Sequence, residues 1–294
     1  PSDRLVTPII INGDMSVAQR ATSKTGITST SYNTVDRFRV GVSGFGTWTQ
    51  SQDTDVPTGE GFAKSLKMDC TVASGPDAAG SVLYHVHYVE AQNLQNLKFG
   101  TSNAEYITLA FWVKTNVTGT YTVEIESDDS GRHICGTYTV NASNTWEKKI
   151  LSFPGDTTGS ITNDNGRGFE IFWWLGAGSE FTSGTLATSW ASQTAGNRVS
   201  SSQANIATST DNNFWITGVQ LEVGEFDSTT IPSFPFESHE SNLRKCQRYY
   251  QQVTSAIGPS VNSTTGRGFG NLVPEMRASH SYSATDVLGI TNGY

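Results

Sequence analysis

"YITLAFWVKTNVTGTYTVEIESDDSGRHICGTYTV" (residues 106–140) is the stretch that decides the fold class. In its first part, apolar residues recur at every second position and therefore share one face of a strand: Ile107, Leu109, Phe111 and Val113. Its second part indicates a β-hairpin that turns at Asp128-Asp129-Ser130-Gly131. Alternation of this kind, interrupted by polar turns, is typical of antiparallel sheets.

The same pattern continues through most of the chain. Comparable alternating or apolar runs lie at residues 7–19, 37–52, 62–72, 81–90, 145–153, 167–178 and 212–226. We count about nine or ten strands and only one or two short helical turns, near 91–97 and 186–192. The sequence therefore predicts an all-β protein with an antiparallel, two-sheet jelly-roll sandwich.

The pattern changes after the last of these runs. Pro232 and Pro235 cannot donate hydrogen bonds to a ladder, so the last strand has to end before them. A short helix follows, which Ser238 or Ser241 is expected to cap. We therefore predict a jelly-roll domain at 1–236, a helical linker at 237–252 and a small β-rich C-terminal segment at 253–294.

The C-terminal segment is small for an independent hydrophobic core. We expect either that it continues beyond Tyr294 or that a neighbouring subunit completes it. Because the chain begins at Pro1 without a Met, we also expect it to be part of a longer or processed polypeptide.

The composition excludes several classes of partner. Acidic residues outnumber basic ones by 27 to 19, which gives a net charge of −8, and no basic cluster offers a surface for nucleic acid. No apolar run approaches the roughly 20 residues of a membrane span. The only cysteines, Cys70, Cys135 and Cys246, are far apart and predict buried free thiols in a reducing compartment.

The acidic and histidine residues do not indicate catalysis. Glu124, Glu126, Glu170 and Glu222 occupy alternating positions that are typical of solvated strand faces, and no two of them are expected to converge. No hydrolase, metalloprotease, phosphate-binding or dinucleotide-binding motif occurs. We therefore expect no enzyme activity, no cofactor and no metal site.

His85 and His87 share one face of a strand, because they are two residues apart. With a third ligand from a neighbouring strand they could bind a metal. The interpretation that we favour is that both are polar residues on the outer face of a half-exposed strand.

Aromatic residues provide the candidate binding site. Trp112, Phe172 and Trp174 lie on the strand faces opposite the main apolar rows. If these faces are open to solvent, the rings could form a platform on which sugar rings stack. The alternative is that the same face packs against another subunit or under a loop. We predict glycan or subunit contacts at these three residues and at His85 and His87.

The order of motifs resembles the galactose-binding-like jelly roll, the fold of many carbohydrate-binding modules. The similarity covers about residues 8–230 and rests on "NGDM", "GFGTWTQ", "FAKSLKMD", "YITLAFWVKTNVTGTYTVEI", "TWEKKILSF", "FEIFWWL" and "FWITGVQLEVGEF". In many such modules an acidic residue at the start of the closing strand helps to hold a structural calcium ion. Thr217 and Gly218 occupy that place here, so the resemblance does not imply a calcium site.

A second set of motifs is similar to virion proteins of tailed bacteriophages, especially tail-fibre and related surface proteins of marine podoviruses. It comprises "NGDMSVAQR", "VDRFRV", "FWVKTNVTGTY", "WEKKILSFPGDTTG", "GVQLEVGE" and "CQRYYQ". The resemblance implies a homotrimeric tail-fibre component that attaches the virion to a host glycan. Its place would be the virion surface, after assembly with other virion proteins in the host cytoplasm.

Two alternatives are kept open. One is a capsid-bound head fibre or decoration protein with a mechanical role. The other is a carbohydrate-binding module of a secreted bacterial protein.

Overall fold

A computed structural model describes residues 8–252 and 276–277. Twelve strands form two six-stranded sheets in which all neighbouring strands are antiparallel. The predicted all-β, two-sheet sandwich is therefore confirmed. No helix among the described residues is both long and apolar enough to cross a membrane.

Each sheet contains strands from both halves of the chain. Sheet A has the order β1 (Ser23–Ile27), β3 (Thr47–Asp53), β4 (Ser65–Val72), β12 (Asn213–Val223), β6 (Ile107–Thr115) and β9 (Glu147–Phe153). Sheet B has the order β11 (Ala191–Ser192), β8 (Arg132–Val140), β7 (Gly119–Ser127), β10 (Arg167–Ala177), β5 (Val82–Glu90) and β2 (Phe38–Ser43).

The helical elements of the described residues are short. Two α-helices, α1 (Ser179–Thr182) and α2 (His239–Gln247), accompany three 3₁₀ turns at Ala91–Leu97, Ala195–Asn197 and Ile206–Thr208. The helical turn predicted near 91–97 is confirmed. The one predicted near 186–192 is wrong, because Ala187 and β11 bond to the edge of β8 and hold this stretch extended.

The hydrophobic core lies between the two sheets. The predicted apolar face of β6 belongs to it, and its four members are fully buried: Ile107, Leu109, Phe111 and Val113. Trp173 of β10 and Phe214 of β12 fill the same space from opposite sheets. The hairpin predicted at residues 121–138 is confirmed as the pair β7 and β8.

His85 and His87 lie in this core, on the face of β5 that also carries Leu83 and Val89. Both are 0% exposed, so their expected place on the outer face is wrong. The outward face of β5 is instead the one that carries Tyr84 and Tyr88. None of the four imidazole nitrogens has a hydrogen-bond partner among residues 8–252 and 276–277, and burial lowers the pKa of both rings.

Helix α2 lies within the predicted helical segment 237–252, and Ser238 caps it. Its buried Asn242 is held by residues of the N-terminal loop. The Asn242 side-chain oxygen accepts from the backbone N–H of Asn12 at 3.0 Å. The Asn242 amide group donates to Asp14 and Ser16, at 3.0 Å each.

Replacing Asn242 with Ala should lower the free energy of unfolding by about 1–3 kcal/mol, because the Asn12 N–H would be left buried without a partner. Urea unfolding of the two proteins measures the difference. The exposed Asn103→Ala variant serves as the control and should change little. Equal losses in the two variants would show that the contact does not hold the helix in place.

The predicted β-rich segment 253–294 lies outside the described residues, except for Met276 and Arg277. The Arg277 N–H donates to the Arg248 carbonyl at 2.9 Å, and its guanidinium donates to the Asn165 carbonyl at 2.8 Å. Arg277 therefore contacts both the residue that follows α2 and the jelly roll.

Candidate functional site

The outer face of sheet B carries the candidate site. Cross-strand pairing places the outward side chains of four adjacent strands in rows. These side chains are Arg39 of β2, Tyr84 and Tyr88 of β5, Glu170, Phe172 and Trp174 of β10, and Glu124 and Glu126 of β7.

Residues 178–199, which we name the cover segment, lie over one half of this face. Val199 and Phe181 of the cover segment pack on Phe172 and Trp174, which leaves those rings 4% and 0% exposed. The prediction of an open platform at Phe172 and Trp174 is therefore wrong. The alternative, that the face packs under a loop, is confirmed.

Trp112 does not join these rings, because it lies on the outer face of sheet A. Its ring is half-buried beside Gly218 and Phe62. Gly218 has a φ of +61°, and a Cβ there would come within 3.0 Å of Trp112. The predicted contact residues are thus distributed over three places: the core, the covered half of sheet B and sheet A.

Arg198 attaches the cover segment to the sheet. Its Nε lies 2.8 and 3.0 Å from the two carboxylate oxygens of Glu124, which is 0% exposed. Its guanidinium also lies 5.1 Å from the ring centroid of Phe172 and 5.4 Å from that of Trp174. A buried carboxylate needs such a counter-charge.

Glu124, His133 and Cys135 form the one group of possible metal ligands among the described residues. The His133 Nδ1 lies 2.9 Å from Glu124, and the Cys135 thiol donates to the Arg198 carbonyl at 3.2 Å. Burial raises the pKa of Cys135, which keeps it in the thiol form that binds metals poorly. Since the Arg198 guanidinium already neutralises Glu124, these residues do not fit a metal ion.

Glu126 and Glu170 face each other directly across β7 and β10. The expectation that no two carboxylates converge is therefore wrong, because both side chains take outward positions at the same register. Glu170 is 7% exposed, and burial raises its pKa to about 7, despite the adjacent Arg167. Glu126 has a raised pKa for the same reason and lies 3.4 Å from Arg198.

The half of the face that the cover segment leaves open carries two half-buried tyrosines. The ring of Tyr84 lies across Gly41 of β2, where a Cβ would come within 2.3 Å of it. Arg39 lies beside it and donates to the Tyr88 hydroxyl at 3.0 Å. Tyr84, Tyr88 and Arg39 thus form an aromatic surface with a charged group on rigid strands. We call these three residues the open half.

Glu222 lies on the outer face of sheet A, opposite Thr108 of β6, as the alternation predicts. It is half-buried, which raises its pKa, and it lines a small cleft with Pro235. The three cysteines are free and buried, also as predicted.

Sequence reasoning did not identify Arg39, Tyr84, Tyr88 or Arg198 as site residues. Tyr84 and Tyr88 are four residues apart and therefore share one face of a strand, and this spacing is the sequence signal for an aromatic outer face. Arg198 carries no local signal, because its partner Glu124 is 74 residues away.

No family model and no curated protein matches the sequence. Among solved structures, the enzymatically active domain of tailspike protein 4 from bacteriophage CBA120 is similar over 74% of this chain, at 14% identity and a TM-score of 0.38. The chain spans about a fifth (21%) of that tailspike chain.

Two carbohydrate-binding modules of Clostridium thermocellum cellulosomal cellulases are also similar. The family 11 module covers 76% of this chain and 99% of its own, at 10% identity and a TM-score of 0.33. The family 30 module covers 76% and 100%, at 10% identity and a TM-score of 0.32. At these values the similarities assign this chain neither a family nor a function.

Proposed function

We propose that the chain is a sugar-binding structural protein of a tailed-bacteriophage virion, a tail-fibre component that contributes to host attachment. The observation that supports it is the open half. There, the half-buried Tyr84 and Tyr88 lie beside Arg39 of the neighbouring strand.

This arrangement suits the chemistry of sugars. A sugar ring has an apolar face that packs on an aromatic ring, and hydroxyl groups that need nearby donors and acceptors. Tyr84 itself is held in place by edge-on contacts with Phe172 and Trp174, at 5.0 and 5.1 Å between centroids. A contact surface that is already ordered loses little entropy when it binds a ligand.

Catalysis is not part of the proposal. Glu124 is neutralised by Arg198, and Glu170 has Arg167 as its ion-pair partner. The virion role is supported by the likeness of the sequence motifs to phage tail-fibre proteins. Homotrimeric assembly, other virion proteins as partners and a place on the virion surface are parts of the same proposal.

Replacing Tyr88 with Ala should weaken glycan binding roughly tenfold or more, because the sugar would lose an aromatic contact surface. Binding of the full chain to a glycan array, followed by titration calorimetry with the best ligand, measures the change. Tyr106→Ala is the matched control, since Tyr106 is 42% exposed and precedes β6 of the other sheet. Equal binding by both variants would contradict a site on sheet B.

The virion role needs a separate experiment. Electron microscopy of virions labelled with an antibody against residues 8–230 should show label at the tail. Label spread over the head would contradict the tail-fibre role and favour a capsid-bound decoration protein. A glycan-binding protein that is absent from virions would instead favour a module of a secreted bacterial protein.

A further inference from the structure

We propose that the sugar bound by the open half carries an anionic group, a carboxylate or a phosphate, and that Arg39 binds this group. The inference rests on the proposed function, because it names the class of ligand that the same surface takes. It depends on the position of Arg39, on the lack of a carboxylate beside it among the described residues, and on the two tyrosines of the neighbouring strand.

Arg39 has no acidic partner in the part of the chain that the structure describes. Among the described residues, no carboxylate oxygen lies within 4.0 Å of its guanidinium. Its Nη1 donates to the Tyr88 hydroxyl. Three other arginines of the sandwich differ, because Arg132, Arg167 and Arg198 each have a carboxylate partner.

The guanidinium has more donors than this one bond uses. An arginine side chain offers five N–H groups in a planar arrangement that matches the two oxygens of a carboxylate or phosphate. Arg39 is half-exposed at the outer face of β2, an edge strand of sheet B, so a ligand can reach the remaining donors. A bidentate contact there would require no rearrangement of an existing ion pair.

Two tyrosines of the neighbouring strand lie on the same face. The Tyr88 hydroxyl accepts from Arg39 at 3.0 Å and keeps its own O–H to donate to an anion. The ring of Tyr84, which lies across Gly41 of β2, provides a flat surface. This combination fits an anionic group on a sugar ring better than a free ion, since a free phosphate would make no use of the aromatic surface.

The acidic residues of the neighbouring strands do not oppose an anion at Arg39. Glu170 pairs with Tyr88 and Arg39 pairs with Val86, so the two are separated by two strands and by two residues along the sheet. At about 4.8 Å per strand and about 3.4 Å per residue, their backbones are about 12 Å apart. Arg167 and Arg198 further offset the charges of Glu170, Glu126 and Glu124. An oligosaccharide can therefore place its anionic group at Arg39 and its sugar rings along Tyr84 and Tyr88.

The test uses the full chain and three sets of oligosaccharides: galacturonic-acid oligomers, the same oligomers after chemical reduction of their carboxyl groups, and phosphorylated mannose oligomers. The Arg39→Gln variant should bind the preferred anionic set on the order of 10–100-fold more weakly than the unchanged chain. Arg39→Lys, which keeps the charge but not the planar donor pair, should fall between the two. Arg244→Gln removes an exposed arginine of α2 and is the matched control.

The outcomes separate the inference from the proposed function. Preference for one acidic set over the reduced oligomers, lost in Arg39→Gln but kept in Arg244→Gln, supports the inference and identifies the carboxylate or the phosphate. Binding to neutral glycans that Arg39→Gln leaves unchanged overturns the inference and keeps the proposed function. Equal binding to every polyanion, including dextran sulfate, also overturns it. No binding to any glycan overturns both.

Thermal unfolding of each variant controls for loss of the fold. If Arg39→Gln is unfolded, the comparison of Arg39→Lys with Arg244→Gln decides the question. An affinity of Arg39→Lys for the acidic set equal to that of the unchanged chain would then overturn the bidentate contact.

Discussion

Replacing Arg198 with Met should lower the free energy of unfolding by about 3–5 kcal/mol. The carboxylate of Glu124 is 0% exposed, and without Arg198 it would remain in the interior with no full counter-charge. The methionine keeps much of the apolar contact with Phe172 and Trp174. The loss of stability would therefore come mainly from the missing counter-charge of Glu124. The cover segment should also separate from sheet B in this variant.

Urea unfolding near neutral pH measures the effect. The double variant Glu124→Gln with Arg198→Met should recover most of the loss, because removing both charges leaves no buried ion. Arg244→Met is the matched control: Arg244 and Glu240 are 68% and 79% exposed, and such pairs contribute about 0.5 kcal/mol or less. A loss in Arg198→Met no larger than in this control would show that water solvates Glu124.

The alternation in the sequence predicts the strands but does not determine which face is inward. In β5, one face carries Tyr84 and Tyr88 and the other carries His85 and His87. The rule that polar residues face solvent places the histidines outside, and the structure places them inside. The rule does not apply here because the outer face of sheet B is itself partly covered and has an apolar cluster of its own.

The cover segment explains why the candidate site could not be predicted. Residues 178–199 are polar and irregular, so no periodicity indicates that they lie on a sheet. The outward positions of Glu124 and Glu170 are predicted correctly from the strand period. Their burial is not, because it depends on contacts with residues distant in the sequence.

Assembly depends on contacts that one chain does not contain. The homotrimer, the other virion proteins and the place on the virion stay predictions for this reason. The first would be tested by the mass of the purified protein in solution.

Lowering the pH below about 6.5 should destabilise the protein, and His85 and His87 should cause a large part of the effect. Burial lowers the pKa of His85 to about 3, and burial followed by the charge of Arg37 lowers that of His87. In the unfolded chain both rings titrate near pH 6.5. Below that pH the unfolded state binds protons that the folded state does not, so stability is complete above pH 6.5 and falls as the pH is lowered.

The expected slope is about 1 kcal/mol per pH unit for each histidine, and for His85 it continues down to about pH 3. Urea unfolding at several pH values between about 7.5 and 4.5 gives this slope. The double variant His85→Leu with His87→Leu should show a shallower dependence, since leucine does not titrate and the neighbouring Phe38 and Phe214 are apolar.

The comparison between the two proteins isolates the histidines from other titrating groups. Asp36 and Glu170, whose pKa values are raised by burial, act in the opposite direction in both proteins and cancel in the difference. The exposed His239→Leu variant should keep the slope of the unchanged chain. If the double variant keeps that slope as well, His85 and His87 take up protons as readily in the folded state as in the unfolded one. The core would then have to admit water or another partner to their ring nitrogens.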